Sequence, residues 1–149
     1  MRCRLISKME ADLRHAIINA TTEQVSYVNV EDLRDAEVLA GLDPMGVDHG
    51  TIEHGLGIVL YEFGLLEPME HYFILNRQLY AGNAVVYAYN GQGETIDVPP
   101  HRIAKLNIQF FHSIAAVEEA LDAGKGNRPY TAINSEVLAV WRNGVLGNV

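Results

Sequence analysis

A chain of 149 residues, close to half of them apolar, suits one domain with a sizeable core. No apolar run approaches the ~20 residues that a membrane-spanning helix needs, so no membrane partner is expected. The net charge of −8 rests on the first half: residues 9–70 carry thirteen acids against Arg14 and Arg34, whereas 71–149 balance six against six. Without a stripe of clustered Lys and Arg, direct binding to nucleic acid is not expected. The acidic half suits either a solvated face or a surface shaped for a basic partner. Cys3 is the one cysteine, so no disulfide forms within the chain and a cysteine-built zinc site is excluded. The N-terminus meets Glu10 and Asp12 at once and lacks the apolar core of a signal peptide. A cytoplasmic setting is therefore expected.

In chain order, RCRLIS reads as a short strand. The spacing of Met9, Leu13, Ala16, Ile17 and Ala20 predicts an amphipathic helix over 9–20, with strand pairing to the next segment as the alternative. QVSYVNV (24–30) is a strand. Glu31 and Asp32 open a helix over 31–40 that Gly41 stops. GIVLYEF (57–63) and HYFILN (71–76) are strands. VVYAY and ETIDV form a hairpin, with Asn90-Gly91 supplying the positive φ angles of a tight turn before Pro99-Pro100 ends the unit. KLNIQFF (105–111) is a further strand. Ser113 caps a helix with Ile114, Val117 and Leu121 on one face, and YTAI with VLAVW suggests a last hairpin. This mixed order predicts a single α+β domain with a largely antiparallel β-sheet and two or three short helices.

The stretch VDHGTIEHGLG (47–57) gathers Asp48, His49, Glu53 and His54 within seven residues. Imidazole and carboxylate are zinc ligands, so His49, Glu53 and His54 are weak candidates for a metal site. The spacing argues against it. Interior glycines each cost about 1 kcal/mol in a helix. On a strand His49 and Glu53 would share a side yet lie about 13 Å apart. Neither metalloprotease histidine motif is present. The stretch reads instead as a polar hairpin, with no metal and no cofactor expected. His49 and His54 stay as candidates for contact with a ligand or partner because loops carry function disproportionately.

Other signals are weaker. Arg2 and Arg4 flank Cys3, but no base is placed beside it. GLGIVL lacks a third glycine and GKGN lacks the Walker pattern. His101 and Arg102 follow two prolines and His112 precedes a helix start, so each suits an anion contact or a surface role. Tyr72, Phe73, Tyr80, Tyr87, Tyr89, Phe110 and Phe111 fall on strands, where core and cross-strand roles dominate. A subset would suit stacking on a small nucleotide-like ligand, with Arg77 or Asn83 supplying polar contacts.

The segment 57–98 resembles a family of small uncharacterised proteins carried by phages, plasmids and other mobile elements of bacteria. The matching residues are Glu62, Gly64, Leu65 and Leu66, then Ala81, Gly82, Ala84, Val85 and Val86, then Gly93, Glu94, Thr95, Ile96 and Asp97. They belong to turns, strand cores and a hairpin return. The resemblance implies a genomic setting within a bacterial host cell, and it brings no catalytic residues. The His49/His54 loop and residues 105–149 lie outside it. From these features the expected function is binding without catalysis: capture of a host defence protein, or of its nucleotide signal. Glu31, Asp32, Asp35 and Glu37 would present the acidic face. A small hydrolase or transferase using His49 and His54, or His101, with nearby carboxylates is the enzymatic alternative. A virion or assembly protein forming homo-oligomers through strand edges is the structural one.

Overall fold

A computed structural model describes residues 12–64, 69–76, 78–113, 115–117 and 119. The chain forms β1 (Leu13–Asn19), β2 (Gln24–Val30), α1 (Leu33–Leu39), a 3-10 turn (Pro44–Gly46), β3 (Val47–Glu53), β4 (Leu56–Tyr61), β5 (Tyr72–Leu75), β6 (Gln78–Ala81), β7 (Ala84–Tyr89), β8 (Thr95–Ile96), α2 (Pro100–Ala104) and β9 (Gln109–Phe111). One sheet runs β2-β1-β7-β4-β3, with β8 added to the far end of β7. A second, smaller sheet runs β6-β5-β9. Every pairing is antiparallel. The expected α+β class with short helices is the one observed. Among the described residues no helix is long and apolar enough to cross a membrane.

Both faces of the larger sheet are covered, and strand alternation sorts the side chains between two cores. Ala16, Ile18, Leu56, Ile58, Ala84, Val86 and Ala88 face the second sheet and α2, meeting Phe73, Leu75, Tyr80 and Ile103. Phe73 stacks on Tyr80 at 5.3 Å between centroids. Ile17, Val59 and Val85 face the other way, against Ala36 and Ala40 of α1.

Of the two readings of 9–20, the described residues show the strand paired with the next segment, and the helix is corrected by this two-sided burial. β1 is an inner strand, so Ala16, Ile17 and Ile18 are buried in succession, and Leu13, Ala16, Ile17 and Ala20 fall at helical spacing without forming a helix. Seven residue pairs with β2 and three with β7 hold it extended. Residues 9–11 lie outside the described residues, as do RCRLIS, Arg77 and the hairpin expected in 130–141.

The strand expected over 105–111 is confined to Gln109–Phe111, and α2 precedes it. Pro99-Pro100 ends the hairpin unit as expected, and Pro100 is also the first residue of that helix. There its fixed φ fits and its missing N–H costs nothing. The hairpin after β7 exists, but its turn differs from the Asn90-Gly91 expectation. The Asn90 N–H donates to the Glu94 carbonyl at 2.9 Å and the Gly93 N–H to the Asn90 carbonyl at 3.0 Å. The positive φ of +78° falls at Gly93, as a three-residue loop requires. Ser113 caps as expected: its Oγ accepts from the Ala116 N–H at 3.1 Å.

Gly57 is set by close approach. A Cβ there would run into the ring tip of Tyr87 on the neighbouring strand. Gly57→Ala is expected to lower stability by about 1–3 kcal/mol as Tyr87 is pushed aside. In a Tyr87→Ala background the same change should cost little. Urea unfolding of the four proteins of this cycle is the check, and equal costs in both backgrounds would refute the contact.

Candidate functional site

The histidine-rich stretch is the β3–β4 hairpin. His54 and Gly55 form its two-residue turn, with Gly55 at φ +84°. The strand register shifts between Thr51 and Glu53. Up to Thr51, His49 stands opposite Val59 on the α1 side. Past the shift, Glu53 stands opposite Leu56, on the side of α2. His49 and Glu53 therefore lie on opposite faces of the sheet, which corrects the shared side expected from plain alternation. Arg102 of α2 claims the tip: Nη2 donates to Glu53 Oε2 at 3.0 Å and to the His54 carbonyl at 2.7 Å. The bare Gly55 lets that guanidinium approach. Asp48 Oδ1 accepts from the His49 N–H at 2.9 Å. Among the described residues no group of three His, Cys, Asp or Glu side chains is placed to hold a metal ion.

The four acids expected on one face divide. Leu33, Ala36, Glu37 and Ala40 recur at the spacing of a helix face turned to the sheet, so Glu37 is buried, 3% exposed. This corrects its placement on the acidic surface. Burial raises its pKa, against a lowering by His49 and Arg34 and a smaller rise from Asp32. His49 is itself exposed and meets the Tyr87 ring edge-on at 6.2 Å. Thus Glu37 and His49, from separate parts of the candidate set, are brought together.

Glu31, Asp32 and Asp35 stay at the surface and line one groove of about 640 Å³ with Leu13, Leu33, Thr95 and His15. Asp32 also caps α1, accepting from the Arg34 N–H at 3.1 Å. His15, 1% exposed, has an Nδ1 with no hydrogen-bond partner among the described residues. Burial lowers its pKa, opposed by the Asp97 carboxylate. A second depression of about 470 Å³ adjoins the groove and shares Glu31 and Asp35. It is lined too by Val38 and Leu39, each 61% exposed. Sequence reasoning missed both features. His15 sits inside an apolar strand, and the outward turn of Val38 and Leu39 follows from the stripe that buries Glu37.

Asn83 is a clamp. Its Oδ1 accepts from the Ala20 N–H at 3.0 Å and its Nδ2 donates to the Ala40 carbonyl at 2.9 Å. It also lines a third cavity at the C-terminal end of α1. His101 lies on α2. His112 pairs with Glu23 at 2.7 Å, and its ring meets His71 at 6.0 Å. The histidines His49, His54 and His101 thus lie on a strand, in a turn and on a helix.

No family model, curated protein or solved structure matches the chain significantly.

The Glu37 shift has a consequence for stability. A carboxyl with a raised folded-state pKa costs nothing below the ordinary value of 4.5, and the fold loses stability as pH climbs through the raised value. His15, lowered from 6.5, acts oppositely: stability falls as pH drops through 6.5. Glu37→Gln removes only the first effect. Its stability relative to wild type should therefore rise as pH climbs above the ordinary value of 4.5, while the His15 slope cancels in the difference. Urea midpoints measured as a function of pH test this, and parallel profiles would refute a buried ionising Glu37.

Proposed function

We propose that this protein acts by binding, and that α1 presents the contact surface to a basic, partly apolar segment of another protein. One observation carries the reading: the helix turns Glu37 inward and leaves Val38 and Leu39 outside, next to the groove of Glu31, Asp32 and Asp35. An exposed apolar pair bordered by acids matches the anatomy of a protein contact, in which apolar anchors hold and rim charges select the partner. The complementary surface carries Lys or Arg beside an apolar anchor. In the mobile-element setting suggested by the resemblance, that partner is a host protein. Capture of a nucleotide signal is disfavoured here, because phosphate would meet carboxylates in the groove.

The test is capture by immobilised protein from bacterial lysate, with the retained protein identified and its affinity then measured in purified form. Glu31→Lys with Asp35→Lys is expected to weaken binding about tenfold or more, and Val38→Ser with Leu39→Ser likewise. Glu62→Lys, an exposed acid elsewhere, should leave it unchanged. The affinity should also fall as salt rises. Affinity indifferent to all four of these changes, in variants whose circular dichroism matches wild type, would overturn the reading.

A further inference from the structure

A cavity of about 670 Å³ lies away from the acidic face, where four connections converge at one end of the larger sheet. They are the β1–β2 turn at Thr21, the segment after α1 at Gly41–Asp43, the approach to β5 at Met69–His71, and the β6–β7 turn at Gly82-Asn83. Its volume falls in the range of small-molecule sites. Its frame is fixed by hydrogen bonds. Asn83 ties the β1–β2 turn to the last carbonyl of α1, and the Gly82 N–H donates to the His71 carbonyl at 2.8 Å. The lining divides by chemistry. Leu42, Met69 and the ring of Tyr61 supply apolar surface, and Asp43 and Glu70 supply two carboxylates. His71 Nδ1 is buried without a hydrogen-bond partner among the described residues. No Lys or Arg lines the cavity among those residues.

We infer that this cavity is a binding site for a small primary amine with an apolar body, its ammonium held by Asp43 and Glu70 and its apolar part resting on Leu42 and Met69. Charge selects the ligand class. Two carboxylates with no basic partner among the described lining residues attract an ammonium and repel a carboxylate or phosphate. The apolar side excludes a bare inorganic cation as the best occupant. Asp43 has one oxygen committed, since Oδ1 accepts from the Met45 N–H at 3.0 Å, which fixes the carboxylate in place and leaves Oδ2 for a ligand. The site is independent of the α1 surface proposed above, because the two linings share no residue.

The experiment is a titration of the full chain, followed by calorimetry and by the imidazole resonances of His71 and His15, with three probes of one shape: phenethylamine, 2-phenylethanol and phenylacetate. Phenethylamine should saturate, shift His71 and leave His15 unmoved. The alcohol should bind about tenfold more weakly, and phenylacetate more weakly still. Glu70→Gln and Asp43→Asn should each weaken the amine about fivefold or more. Asparagine is chosen at 43 because it keeps the capping oxygen. Three results would overturn the inference: no saturation by the amine, equal binding of all three probes, or shifts at His15 in place of His71. The wild-type comparison alone decides the charge preference, so the test survives a variant that fails to fold.

Discussion

β7 is the strand on which the rest of the structure depends. It lies at the centre of the larger sheet, paired along Leu56–Leu60 of β4 on one side and with β1 and then β8 on the other. Its register assigns every face. Ala84, Val86 and Ala88 look toward the second sheet, and Val85 and Tyr87 look toward α1. A one-residue slip would exchange the two cores, placing alanines under α1 and Tyr87 in the tightly packed interior against Phe73. The small side chains of β7 let the second sheet approach. The bare Gly57 beside it makes room for Tyr87 on the other face.

The surface chemistry follows from that packing. Val85, Val59 and Ile17 form a shallow apolar floor that only small side chains can approach closely, and α1 meets it with Ala36 and Ala40. Rotating the helix to bring those alanines down also brings Glu37 down, one residue after Ala36. The same rotation lifts Val38 and Leu39 into solvent. Burying a carboxyl is unfavourable, and the exposed imidazole of His49 offsets part of that cost. The apolar-and-acidic surface of α1 is thus the reverse side of an alanine-mediated contact.

This history explains what could be read in advance. The class of fold, the strands at 24–30, 57–61 and 72–75, the helix at 33–39 and the cap at Ser113 all rest on local patterns. Those patterns agree with their tertiary setting. The failures are tertiary in origin. β1 reads as helix or strand because burial on both faces erases alternation, and the short helix that starts at Pro100 goes unread because 105–111 reads as the next element. Of the candidate residues, Glu31, Asp32 and Asp35 share a surface as acidity alone suggests. Glu37 departs because helix rotation is set by Val85 and Val59, far away in sequence. Asn83 reads in the sequence as a polar contact for a ligand, not as a clamp, since both of its partners are backbone groups of remote turns.

The two concave regions at the ends of α1 share one electrostatic character, and its magnitude decides what they can hold. Groove and cavity together present five carboxylates and no Lys or Arg among their described linings. At ~5 Å and an effective dielectric of about 20, each carboxylate would oppose a bound phosphate charge by about 3 kcal/mol. Two or three such terms exceed what stacking on Tyr61, or on any other single ring, returns. A nucleotide bound in either place would therefore need a compensating cation brought with it. A lysine, an arginine or an amine needs none. For the two sites proposed above, the same arithmetic favours a cationic occupant at either end of one helix, with Asn83 fixing the C-terminal end of α1 at the Ala40 carbonyl and Asp32 capping the other.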